Sequence, residues 1–226
     1  EEKEKEPWPE PVDGAALLDE LVGVSNKFIH QPTHYHHVDA LWTMLTYCQK
    51  EFIFSPILLM TSPEPECGKS RKLDIFQAHC NAPFRTGNAT GPVIYRAIEA
   101  YKPTMLVDEF DSVTPEQRDA IGNVLCNGFQ KGGIAHRIET IGQKHEIVEF
   151  DCYGPKAVAA IKASTFTRAV VSRSICMRMH RKPTSIKLER FRKYDGTDIT
   201  RKCLRWAEDN KEGMVGMTIE MPENLS

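Results

Sequence analysis

The chain has 226 residues, 41% hydrophobic and 27% charged, with 29 Lys and Arg against 31 Asp and Glu for a formal charge of −2. That length and balance suit an ordinary globular chain able to bury a substantial core. No apolar run approaches the roughly 18–20 residues that cross a bilayer, and no charged-then-apolar leader opens the chain, so neither membrane spanning nor secretion is expected.

Residues 1–12 are charged and Pro-rich and read as a linker; with no starting Met, the chain is expected to be part of something longer. Asp13 can cap a helix whose Leu17, Leu21, Val24 and Phe28 recur at helical spacing. Thr33 is expected to cap a second helix with Val38, Leu41, Trp42 and Leu45 on its apolar face. Ile57–Thr61 is an unbroken apolar run of the kind buried in parallel sheets, followed by a Pro/Glu loop and a helix carrying Leu73 and Phe76. Thr90 and Pro92 start another helix, Lys102-Pro103 ends it, and Met105-Leu106-Val107 forms a second buried strand.

Thr114-Pro115-Glu116-Gln117 is a capping box opening a helix with Ile121, Val124 and Leu125. Residues 134–139 and 146–153 read as a hairpin joined by a polar tip at 140–145. A third buried strand at 156–161, a fourth at 174–179 and a last helix near 200–210 complete the pattern. Strands alternating with helices predict an α/β fold whose parallel sheet is flanked by helices. Its expected divisions are N-terminal helices at 13–50, a core at 51–195, and at 196–226 the start of a further helical segment cut short.

The near-neutral charge hides an asymmetry. Residues 99–120 hold six acids and two bases, whereas 162–193 hold ten Lys and Arg against the single acid Glu189. A segment of +9 in a neutral chain suggests a surface for a polyanion, or else a solvated basic face. The seven cysteines are scattered without a Cys-x-x-Cys pair, which suits reduced thiols in a cytosolic protein. His34, His36 and His37 lack a partner spaced to complete a tetrahedral metal site and read as a solvated helix start.

The strongest chemical signal is Ser62-Pro63-Glu64-Pro65-Glu66-Cys67-Gly68-Lys69-Ser70, placed between strand and helix where a phosphate-binding loop belongs. Backbone N–H groups at the helix start would face phosphates, Lys69 supplies a cation, and the Ser70 hydroxyl can ligate Mg²⁺. The loop departs from G-x-x-x-x-G-K-[ST] in having Pro63 at the first Gly, and Pro63 and Pro65 have no N–H to donate. Cys67 at the helix start is a candidate reactive thiol. A second element, Asp108-Glu109, ends an apolar strand some forty residues on. There Asp108 would hold Mg²⁺ and Glu109 would polarise the attacking water, the alternative being a solvated acidic turn. Lys144-His145 at the hairpin tip offers donors to a nucleic-acid backbone. Arg173, or Arg168 in its place, suits an arginine acting on a neighbouring subunit's phosphate.

With these residues placed, the chain resembles a bacterial and phage family of P-loop NTPase domains of unknown function, joined to primase-like modules in mobile-element replication proteins. The resemblance runs over 8–210. It is carried by Thr61-Ser62-Pro63, Cys67-Gly68-Lys69-Ser70, Arg96-Ala97-Ile98-Glu99-Ala100, residues 103–109, Asn127-Gly128, Gly154-Pro155-Lys156-Ala157 and Ser172-Arg173-Ser174-Ile175. Ser-Pro in place of the first Gly is a trait of that family. More distantly, the element order is similar to AAA+ proteins with a hairpin before the sensor strand, including superfamily 3 helicases.

The resemblance implies a cytoplasmic, helicase-like ATPase of bacterial or phage-infected cells, acting on single-stranded or forked DNA as a homo-oligomer. ATP would lie on Glu66, Cys67, Gly68, Lys69, Ser70 and Arg71, with Mg²⁺ on Ser70 and Asp108. Lys69, Glu109 and Arg173 would be catalytic, and Lys144 and His145 would touch DNA. At the sensor position, Lys162 follows Ile161 and Ser164 is the nearest hydroxyl. A nucleotide-gated or catalytically weak DNA-binding module is the alternative, favoured by the Pro-rich acidic loop. A small-molecule kinase would need a lid and an acceptor pocket besides.

Overall fold

The computed structural model describes residues 6–87, 90–141, 144–215 and 217. Two helices lead, α1 (Gly14–Phe28) and α2 (Thr33–Cys48). They are followed by β1 (Ile57–Thr61), α3 (Lys69–His79), β2 (Pro83–Thr86), α4 (Gly91–Tyr101), β3 (Thr104–Val107) and α5 (Pro115–Asn127). Then come β4 (Ile134–Ile141), β5 (Lys144–Asp151), β6 (Lys156–Ala160), the single turn α6 (Arg168–Val171), β7 (Ser174–Arg178) and α7 (Thr197–Met214). The protein is α/β: five strands form a parallel sheet in the order β2-β3-β6-β1-β7, and β4 and β5 form a separate antiparallel hairpin. No helix among the described residues is long and apolar enough to cross a membrane.

The pleat explains why the central strands are unbroken apolar runs. Leu58 and Met60 of β1 enter a core built with α1, α2, α3 and α7, while Ile57 and Leu59 enter a second core with α4, α5 and the hairpin base. A strand covered on both faces has no polar side to alternate with. At the periphery that signal fades. Strand β2, Pro-Phe-Arg-Thr, is absent from the sequence-based expectation because it is a half-buried edge strand pairing only with β3. Its first residue is a proline, which an edge tolerates.

Helix α1 starts as expected, with Asp13 Oδ1 accepting the Ala16 amide at 2.7 Å. The Thr114–Gln117 capping box is formed from both sides. Helix α2 differs from expectation. Pro32 occupies the cap position, Thr33 is already helical, and Leu41 is 57% exposed. The inward face of α2 instead carries His36, Asp39, Ala40, Thr43 and Met44. Polar groups can lie there because their partners are built in, and His36 is therefore buried rather than solvated.

The hairpin is longer than its sequence pattern indicates, since both strands run to residues 141 and 144. The turn residues 142–143 lie outside the described residues, as do 1–5 of the expected linker and the final residues 218–226. Residues 6–12 lie against α7: the Trp8 amide donates to the Arg201 carbonyl at 3.1 Å, and the Arg201 guanidinium lies over the Trp8 ring.

Candidate functional site

Ligands of open α/β sheets sit beyond the carboxyl ends of the strands. At that end lies a cleft of about 490 Å³, lined by residues 65–71, Asp108, Glu109, Asp111, Ser112 and residues 159–161. Its volume falls in the range of small-ligand sites. The three contributing strands are β1, β6 and β3, with β6 in the middle. Hence the loop after β1 and the acids after β3 face each other across the end of β6.

The loop's turns need unusual backbone. Gly68 has φ +86° and caps α3, and Glu66 has φ +61°. The first intrahelical bond of α3 is from the Lys72 amide to the Gly68 carbonyl, so the helix start at residues 69–71, which lines the cleft, is the donor end of α3. Cys67 is 3% exposed, with its thiol directed at the Glu64 carbonyl at 3.4 Å. It anchors the loop rather than presenting a reactive sulfur. Ser62 is buried and ties the loop to β6 through its amide and the Ile161 carbonyl, 3.3 Å apart. Its hydroxyl donates to the Glu64 carbonyl at 2.6 Å and accepts from the Lys69 ammonium. Ser62 thus holds Lys69 back along its own loop.

Across the cleft, Ser70 Oγ donates to Asp108 Oδ1 at 3.4 Å, and the Glu109 amide donates to the same oxygen at 3.0 Å. Glu109 is exposed, has φ +50°, and caps the turn at Phe110–Ser112. Asp111 accepts from the Ile161 amide and, at 3.2 Å, from the Thr165 hydroxyl. That carboxylate closes the end of β6, where Lys162 and Ser164 are exposed and contribute no side chain to the cleft lining. Arg181 reaches back from the segment after β7 to pair with Glu66, offsetting one of the loop's two acids.

Lys69, Ser70, Asp108 and Glu109 are therefore brought together, with Glu66, Cys67, Gly68 and Arg71 on the same loop. The other expected residues lie elsewhere. Arg173 precedes β7 at the amino end of the sheet, where its guanidinium donates to the Ala169 carbonyl at 2.8 Å and lies over the Phe129 ring. Arg168 opens α6 and lines no part of the cleft. His145 is paired with Thr140 in the hairpin ladder, on the face that carries the exposed Ile138 and Ile147. Lys144 pairs with Ile141, and its side chain lies outside what is described.

Sequence reasoning missed Arg85. From the end of β2 it donates to Asp108 Oδ2 at 2.6 Å and to Asp74 Oδ1 at 2.5 Å. Nothing in the spacing of residues 74, 85 and 108 signals that contact; only the β2–β3 register creates it.

Among the described residues no group of three or more His, Cys, Asp and Glu is arranged to hold a metal ion. Ser70 and Asp108 supply two hard oxygen donors. Mg²⁺ characteristically takes one or two carboxylates and fills its remaining positions with phosphate oxygens and water. The donor set therefore fits Mg²⁺ carried in with a nucleotide, and does not fit a resident metal. No protein-family model matches this chain, and no curated protein sequence matches it.

Proposed function

We propose that the chain is a Mg²⁺-dependent P-loop ATPase core of AAA+ type, acting on DNA as a motor or loader in replication of a phage or mobile element. The observation that carries this reading is the meeting of a Gly-Lys-Ser helix start with an Asp-Glu pair across one strand end, with Ser70 and Asp108 3.4 Å apart. Phosphates would lie on the free amides of α3, and the Lys69 ammonium would leave Ser62 to neutralise them. Ser70 and Asp108 would hold Mg²⁺, which when bound offsets charge on the phosphate oxygens. Glu109, exposed at the cleft, would orient the attacking water.

Arg173 lies at the far end of its own sheet, so any part it plays in hydrolysis is in the cleft of a second copy, in a homo-oligomer. The hairpin with Lys144 and His145, and the basic segment 162–193, would face single-stranded or forked DNA. A primase-like module would supply the remainder of the replication protein, in the bacterial cytoplasm. The alternative is a nucleotide-gated or catalytically weak DNA-binding module. It is favoured by the two loop prolines and by the contacts that hold Lys69 and Asp108 within the protein.

Two measurements decide. Lys69→Ala is expected to abolish binding of a fluorescent ATP analogue, and unchanged affinity sinks the nucleotide reading. Wild-type ATP turnover is expected to rise when single-stranded DNA is added. Nucleotide binding without turnover, with or without DNA, assigns the binding module instead.

A further inference from the structure

Asp108 uses its two oxygens differently. Oδ1 faces Ser70 and the Glu109 amide, whereas Oδ2 is taken by Arg85 at 2.6 Å. The other end of the same guanidinium holds Asp74, on α3 five residues beyond Lys69, and Asp74 also pairs with Arg71 at 3.1 Å. Arg85, Asp74 and Asp108 have side chains only 24%, 32% and 17% exposed, so the cluster is partly shielded from solvent screening. A planar, two-ended cation matches this geometry in a way that a lysine does not. Arg85 lines no part of the cleft; it reaches the lining through Asp108, and at one further remove through Asp74 and Arg71.

On the nucleotide-site reading, on which this rests, we infer that Arg85 is a positioning residue that turns one oxygen of Asp108 toward the Mg²⁺ position and ties the phosphate-loop helix to the end of β3. A carboxylate's terminal torsion is broad and roughly two-fold, so without Arg85 the edge Asp108 presents is set only by the Glu109 amide and the long Ser70 contact on Oδ1. Asp74 and Asp108 would also be left without the cation they share. Lys69 is held by Ser62 and not by the Arg85 cluster, so the main nucleotide contact of the loop does not pass through Arg85. The loss should therefore fall on the contribution of the metal and not on the nucleotide alone.

The test is the affinity of a fluorescent ATP analogue with Mg²⁺ and with a chelator in its place, for wild type, Arg85→Met and Arg85→Lys. Arg85→Met is expected to match wild type in chelator and to lose at least fivefold of the gain that Mg²⁺ confers. Arg85→Lys, able to keep one ion pair, should fall between them. An equal weakening with and without Mg²⁺ would reduce Arg85 to a structural tie, and an unchanged Mg²⁺ gain would remove any role; either overturns the inference. If Arg85→Met does not fold, Arg85→Lys is compared with wild type by the same ratio, and an undiminished ratio there overturns it. Absence of nucleotide binding by wild type would instead fell the nucleotide reading and this inference together.

Discussion

His36 shows how one side chain can be set by residues far from it in the chain. Its Nδ1 lies 2.8 Å from Ser25 Oγ of α1 and 3.1 Å from Gln31 Nε2. Burial, then the positive charge of Lys72, push its pKa from 6.5 to about 4. The folded protein keeps this imidazole neutral where the unfolded chain protonates it, so the unfolded state binds more protons between about pH 4 and 6.5. Stability from this group is complete above pH 6.5 and is lost as pH falls toward 4, by an amount on the order of 3 kcal/mol. His36→Asn is expected to flatten that part of the pH dependence of the urea midpoint, and identical slopes for variant and wild type would refute it.

Beside His36, Lys72 of α3 meets Asp39 at 2.7 Å and Gln31 at 2.9 Å. Burial pushes the Asp39 carboxyl up and the Lys72 ammonium down, and each partner partly offsets the other's shift. Lys156 is a second buried cation, driven from 10.5 to about 7 by burial and donating to the Gly128, Cys152 and Gly154 carbonyls. The sequence pattern reads His36 as part of a solvated helix start and gives no sign that Lys72 is buried. Ser25 lies eleven residues from His36, and Asp39 thirty-three from Lys72, beyond the reach of a local pattern.

Among the elements, the hairpin is divided along its length. Ala135 and Phe150 at its base are buried, Phe150 lies against the Tyr95 ring, and Arg137 sits over the same ring at 4.4 Å. Further out, Ile138 and Ile147 pair in register and are each 72% exposed. Phe150→Ala is expected to cost roughly 3–5 kcal/mol in denaturant unfolding, whereas Ile138→Ser and Ile147→Ser should change stability by less than about 0.5 kcal/mol. A substantial loss from either serine variant would show that the outer hairpin packs on the body of the protein. Two strands were legible here from alternation, but the extent of pairing was not. Thr140 and His145 are polar residues of the kind that mark a loop, and they nonetheless occupy ladder positions.

For the molecule as a whole, α7 closes the core that α1, α2 and α3 begin. Ile199, Cys203 and Ala207 are buried, Thr200 Oγ1 donates to the Ala78 carbonyl at 3.1 Å, and Lys202 pairs with Glu20 at 2.8 Å. The approach is close at Gly196, where an added Cβ would stand 2.9 Å from His79 Nε2 and 3.2 Å from the Ala78 carbonyl oxygen. Gly196→Ala should therefore cost about 1–3 kcal/mol and raise amide exchange along α7. Wild-type stability and exchange in that variant would mean that the helix is not seated there.

Local chemistry marked out what local chemistry governs. Unbroken apolar runs announced β1, β3 and β6, the Thr114 box announced α5, and the Gly-Lys-Ser and Asp-Glu segments announced themselves at the ends of strands. Each depends on residues a few positions apart, so period and spacing are enough to read it. The partners of those segments followed different rules. That β6 lies between β1 and β3, and that Arg85 from a weak edge strand holds Asp108, both depend on strand order and register. Such contacts join segments whose separation along the chain carries no information about their separation in space, and folding alone brings them within hydrogen-bond distance.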